Sequence, residues 1–142
     1  MNIKEVIANA VKAEQESYEL YTAGAGKTSS KAGKELFTKL AKEELKHKKI
    51  LQELDFSKLD KFKGKIEKLN FVDELASTPL NELQVLKDIM EFAIKKEIRS
   101  QEFYAKLAVS TEGKIKELFE KLVGEEKKHE AWVRSEYNKI FS

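Results

Sequence analysis

Apolar residues recur every three or four positions in four segments of this chain, as they do on the core-facing side of an α-helix. The first stripe runs Ile3, Ile7, Ala10, Glu14, Tyr18 and Tyr21, and the second Leu36, Leu40, Glu44, His47, Leu51 and Leu54. The third is Leu83, Leu86, Met90, Ala93, Glu97, Gln101 and Tyr104, and the fourth Ile115, Leu118, Leu122, Glu126, His129, Val133 and Ile140. Each stripe carries a glutamate where the pattern asks for leucine or isoleucine. Two of the four add a histidine three residues later.

The breaks between stripes are readable. "GAGKTSSKAG" at 24–33 is rich in Gly and Ser and ends the first helix, with Ser29 or Ser30 available to cap the second. Thr78 followed by Pro79 makes an N-cap and first-turn pair for the third helix, and "STEG" at 110–113 parts the third from the fourth. Both hairpin loops are short, so each joins antiparallel neighbours. The stretch 55–77 is longer and is expected to cross the bundle, with short helical pieces around "KGKIEKLNFVDEL". The prediction is an all-α, antiparallel four-helix bundle in a single domain. One hairpin covers about 1–54, the crossover about 55–77 and a second hairpin about 78–142.

The two halves repeat one another. "AEQESYELY" (13–21) aligns with "KEIRSQEFY" (96–104), and "ELFTKLAKEELKH" (35–47) with "ELFEKLVGEEKKH" (117–129). The inward glutamates are 30 residues apart in the first half and 29 in the second. A duplicated helical hairpin explains both observations.

Composition narrows the chemistry. The chain has 142 residues, no Cys and one Pro, so disulfides, thiolate metal sites and thiol nucleophiles are excluded. Its 27 basic and 25 acidic residues are interspersed with no basic block, which disfavours nucleic acid as a partner. The N-terminus lacks a signal-peptide core, and no apolar run approaches the roughly 20 residues of a membrane span. A cytoplasmic protein without a membrane partner is expected. "GAGKT" resembles the end of a phosphate-binding loop, but position 21 is Tyr where that motif needs Gly, and a helix leads in where it needs a strand. It reads as a helix–helix turn.

Six polar residues therefore demand an account: Glu14, Glu44, His47, Glu97, Glu126 and His129. Most other glutamates, Glu43 and Glu125 among them, fall off the stripes and read as solvated surface charge. Burying a carboxylate costs several kcal/mol even after relaxation, and four together repel one another and force proton uptake. Two divalent cations cancel four carboxylate charges and use the imidazole lone pairs. Residues at i and i+3 share a helix face, so Glu44 with His47 and Glu126 with His129 can each grip one metal region. Glu14 and Glu97 approach from the other two helices. One Glu from each of two helices plus Glu-x-x-His from each of the other two is the donor set of di-iron and di-manganese carboxylate bundles. Carboxylate and imidazole donors suit Fe or Mn, and also Zn. Tyr21 and Tyr104 lie two turns beyond Glu14 and Glu97. They are expected to pack as core, with a phenol near enough to serve the site. Trp132, Phe37 and Phe119 are core candidates.

On these residues the chain resembles the ferritin-like domain of the rubrerythrin family over nearly its full length. The carrying features are Glu14, "EELKH" ending in Glu44 and His47, Glu97, "EEKKH" ending in Glu126 and His129, and the pairs Glu14/Tyr21 and Glu97/Tyr104. The resemblance implies a non-haem di-iron site, reduction of hydrogen peroxide or O2, and a homodimer. It implies that Glu44 and Glu126 bridge the metals, that Glu14 and Glu97 are terminal carboxylates, and that His47 and His129 are terminal nitrogen ligands. Two features depart from the family. Full-length rubrerythrins carry a rubredoxin-like domain whose iron is held by four Cys, so electrons here must come from a separate donor such as a rubredoxin. They also commonly place an extra Glu one turn from the third-helix ligand, where this chain has Ile94, Ser100 and Gln101. A di-iron oxidoreductase is the leading expectation. The alternatives are a non-catalytic iron-handling or sensing protein and a helical interaction module with a vestigial site.

Overall fold

The structure, a computed structural model, describes residues 2–59 and 85–141. Four helices account for most of them: α1 (Ile3–Lys27), α2 (Lys31–Gln52), α3 (Leu86–Val109) and α4 (Gly113–Phe141), with a short 3-10 turn at Phe56–Leu59. There is no strand among the described residues. The protein is an all-α four-helix bundle, as the periodicity predicts.

Local chemistry places the ends. Asn2 caps α1 in a capping box: its Oδ1 accepts from the Glu5 N–H at 2.9 Å, and the Glu5 carboxylate accepts from the Asn2 N–H at 3.2 Å. Of the two candidate serines, Ser30 caps α2, its Oγ accepting from the Gly33 N–H at 3.0 Å. The first break is tighter than expected, because α1 continues through "GAGK" to Lys27 and only residues 28–30 are non-helical. Gly24 is buried there against the Phe37 ring, which lies 3.4 Å from where a Cβ would sit. Gly113, with φ +66, supplies the left-handed turn that starts α4. The Thr78–Pro79 cap, Leu83 and most of the expected crossover lie outside the described residues. The described part of α3 begins at Leu86 with Val85 extended before it.

α1 packs along α2 and α3 along α4, and the hairpins meet through α1 against α3 and α2 against α4. Two apolar clusters form, one at each end of the bundle. The first collects Ile7 and Ala10 of α1, Leu51 of α2, Phe103 and Leu107 of α3, and Phe119 and Leu122 of α4. The second collects Leu20 of α1, Phe37 and Leu40 of α2, Met90 and Ala93 of α3, and Val133 of α4. Along each helix the inward glutamate falls between its contributions to the two clusters. α2 and α3 both run from the second cluster to the first, so the end of α2 and the start of α3 lie at opposite ends of the bundle, as a crossover connection requires. Several stripe positions, among them Tyr18, Leu36, Leu54 and Leu118, are half-buried at the edge of the core, and one is exposed. Ile140 is 38 % exposed because α4 runs past the end of its neighbours' packing, and Leu36 is half-buried while Phe37 beside it is fully enclosed.

Candidate metal centre

Glu14, Glu44, His47, Glu97, Glu126 and His129 are each at most 2 % exposed and meet at the middle of the bundle, between the two apolar clusters. Their donor atoms form two overlapping sets. Glu14, Glu44, His47 and Glu126 offer four atoms all within 4.8 Å of one another, and so do Glu44, Glu97, Glu126 and His129. Glu44 and Glu126 belong to both sets.

The sets are built from both hairpins. His47 Nδ1 lies 3.4 Å from Glu44 one turn before it, 3.4 Å from Glu14 and 3.2 Å from Glu126 of the other hairpin. His129 Nδ1 mirrors it, 3.2 Å from Glu126, 3.6 Å from Glu97 and 3.0 Å from Glu44 across the bundle. The two rings face each other nearly parallel at 5.6 Å.

The carboxylates divide into two kinds. Both oxygens of Glu44 and both of Glu126 are buried without a hydrogen-bond partner. Glu14 and Glu97 each keep one such oxygen and use the other. The Tyr104 hydroxyl donates to Glu14 Oε1 at 3.0 Å, and the Tyr21 hydroxyl donates to Glu97 Oε1 at 2.5 Å. Each phenol thus crosses from one hairpin to a buried glutamate of the other. Six unpartnered buried oxygens in one place are costly unless a cation takes their lone pairs. The cluster fits a binuclear metal site: two four-donor sets, with a shared pair of carboxylates whose four oxygens are free to span both positions.

The charges show the same strain. Burial, then repulsion from Glu126, raises the pKa of Glu14, while burial and repulsion from Glu126, Glu14 and Glu97 hold Glu44 well above the usual carboxylate range. Burial and Glu126 push Glu97 up to about 8. Burial would lower both histidines, but the carboxylates around each, Glu126 foremost, overcome it and raise them. Among the central carboxylates only Glu126 goes down, to about 2, because the two imidazoles whose Nδ1 atoms lie 3.2 Å from it outweigh its burial. Without metal the centre holds itself together with protons, and metal entry must displace them.

Glu43 and Glu125 correct the expectation of solvated surface charge. Both are half-buried. Glu43 Oε1 sits 3.1 Å from His129 Nε2, and Glu125 Oε1 lies 3.7 Å from His47 Nε2. Glu43 hydrogen-bonds the outer nitrogen of the opposite hairpin's histidine, Glu125 stands beside the other ring's outer nitrogen without a hydrogen bond, and both rings keep Nδ1 facing the centre. A carboxylate in that position sets the ring's tautomer and orientation. Their position in the sequence is the signal: in "EELKH" and "EEKKH" the first Glu sits one residue before the inward Glu, on the flank that faces the neighbouring helix. Lys96 is a further buried charge that the stripe pattern does not mark. It is 4 % exposed, with Nζ 3.8 Å from Glu16 Oε2, and burial lowers its pKa against the pull of Glu16 and the cluster. Its counterpart in the repeat is Ala13, so a long cation stands where the first hairpin has a methyl group. Phe37 and Phe119 are core as expected, whereas Trp132 is half-buried, its ring 5.8 Å from that of His129.

Fold and centre together define a four-helix bundle whose buried carboxylate–imidazole cluster fits a binuclear metal site. The chain belongs to the rubrerythrin family, whose family model matches residues 5–137. Neither the search of curated proteins nor that of solved structures gave a match. No described helix is long and apolar enough to cross a membrane.

Proposed function

We propose that the chain is a rubrerythrin-type di-iron oxidoreductase that reduces hydrogen peroxide or O2 with electrons from a separate donor protein, acting in the cytoplasm as a homodimer. Glu44 and Glu126 would be shared between two metal ions, Glu14 and His47 would complete the hold on one, and Glu97 and His129 on the other. Manganese or zinc would satisfy the same donors, but only a redox-active metal serves the reaction. The observation that carries the reading is the sharing of Glu44 and Glu126 between two buried four-donor sets.

When bound, such a metal pair supplies Lewis acidity and the two electrons that take one peroxide to water. The protein's part is positional. Tyr21 and Tyr104 occupy one oxygen of each terminal carboxylate and direct the other inward. Glu43 and Glu125 hold the imidazoles from outside. The apolar clusters above and below exclude bulk water, which strengthens every charge interaction between them.

The test is anaerobic mixing of the diferrous protein with peroxide in a stopped-flow instrument. Oxidation well above the rate of free ferrous ion supports the reading, and oxidation no faster than the free ion overturns it. A second reading, a metal binder without turnover, draws on Ile94. That side chain, one turn before Glu97, is apolar and packs against the second core cluster, where the family commonly has a further carboxylate. It predicts stoichiometric metal and no turnover with any reductant.

A further inference from the structure

A groove of about 480 Å³ runs along the outer side of α2, from the level of the second apolar cluster to that of the metal centre. One row of its lining is Lys34, Thr38, Lys42 and Lys46, four residues apart and all exposed. The neighbouring row brings Lys39 and Glu43, with Glu35 at the end. α2 holds seven of the chain's lysines and three glutamates, and two of those three are turned inward, Glu44 into the centre and Glu43 onto His129. Its outer face is therefore almost wholly cationic, in a chain whose net charge is only +2.

This face touches the centre through two side chains. Glu43 lines the groove and contacts His129 Nε2. Lys39 lies over the Trp132 ring at 4.2 Å, and that ring lies 5.8 Å from His129. Groove, indole, imidazole and carboxylate cluster form a continuous series. A centre enclosed by apolar packing at both ends is thus reached from its side through a patch in which lysines outnumber glutamates four to two.

We propose that the lysine row of α2 is the landing surface for an acidic one-electron carrier protein, which passes its electron inward past Trp132 and His129. This rests on the redox reading of the centre. Charge complementarity is the argument for the partner: a cationic patch steers an acidic protein into a brief encounter, raising the association rate more than the affinity. Small, weak interfaces are characteristic of electron-transfer pairs. Each docked carrier is oxidised by one electron. Reducing one peroxide to two waters consumes two electrons and two protons, so two visits serve each turnover.

The chain's single tryptophan gives a single indole N–H signal, so Trp132 reports on the groove directly. The experiment titrates isotope-labelled, zinc-loaded full-length protein with zinc-substituted rubredoxin, a small acidic carrier made redox-inert. The Trp132 indole and the amides of 34–46 should shift, the shifts should vanish at high salt, and Lys42→Glu with Lys46→Glu should weaken binding about tenfold or more. Shifts confined to other helices, or an affinity indifferent to the two reversals, overturn the proposal. So do stronger shifts of the same signals with anionic vesicles or an oligonucleotide, and shifts that grow with protein concentration alone, which would make the face a contact between copies. A second arm follows reoxidation of reduced rubredoxin by peroxide over the iron-loaded protein. The double reversal should slow it about tenfold while leaving reduction by dithionite unchanged. Docking without any reoxidation would sink the redox reading and leave the landing surface standing.

Discussion

Replacing Glu97 with glutamine removes a charge while keeping the shape of the side chain and an oxygen to accept from Tyr21. In the metal-free protein, burial and repulsion from Glu126 carry the Glu97 pKa from 4.5 to about 8. At pH 7 the folded chain therefore holds a proton there that the unfolded chain has lost. Taking up that proton costs about 1.4 kcal/mol for each pH unit above the unfolded value, or about 3 kcal/mol at pH 7. The amide needs no proton. Metal-free Glu97→Gln should accordingly be more stable than the parent by up to about 3 kcal/mol, on the order of 10 °C in Tm for a chain of this size. Metal reverses the order. At a free metal concentration about a thousandfold above Kd, the parent gains about 4 kcal/mol, whereas the variant has lost one of four carboxylates and gains far less. Far-ultraviolet circular dichroism melts of chelator-treated and manganese- or zinc-loaded samples measure both differences. A metal-free variant that melts below the parent, or one that gains as much from metal as the parent does, would refute the charge-balance account of this centre.

Further expectations concern the same charges and the packing around them. Stability of the metal-free protein should fall as pH rises from 5 to 8. Glu97 is protonated in the folded state alone across this window and gives a negative slope of about 1.4 kcal/mol per pH unit, and each histidine, raised above its unfolded value of 6.5, adds a similar slope only above about pH 6.5. Glu126, lowered to about 2, acts in the opposite sense but only between about 2 and 4.5. Urea unfolding across that window checks the sign, and a rise would contradict it. Glu43→Gln and Glu125→Gln should each weaken metal binding about 10- to 100-fold with helix content unchanged, measured by competition with a chelator. Unaltered affinity in both would remove them as positioning groups. Gly33→Ala should cost about 1–3 kcal/mol. Its Cβ would sit 2.9 Å from Oγ1 of buried Thr28 and 3.3 Å from Glu136 Oε1, and neither has room to yield. Equal urea midpoints would show that the α1–α2 turn is looser than the packing indicates.

Much of the centre was visible as a violation of pattern. A stripe of period 3.6 fixes which side of a helix is buried. Glu14, Glu44, Glu97 and Glu126 had to point inward once Ile7, Leu40, Met90 and Leu122 did, and the i, i+3 spacing carried His47 and His129 with them. The duplicated hairpin supplied the mutual register. Glu43 and Glu125 were misjudged because a helical pattern ranks a residue by its angle to the stripe alone. These two lie on the flank, and whether a flank is solvent or a neighbouring helix depends on where that helix stands. Lys96 was hidden for the same reason: it adjoins Glu97 but is covered by α1.

By itself the chain's pattern of apolar and polar positions settled the four helices, their buried faces, the pairing into hairpins and the identity of the six central side chains. These follow from local periodicity, which is written residue by residue. Packing in three dimensions decided the rest. It determined that each tyrosine serves the opposite hairpin's glutamate, that two flanking glutamates turn toward the histidines, and that Lys39 of α2 lies over Trp132 of α4. Those relations join residues tens of positions apart, and their distances exist only once the helices have docked.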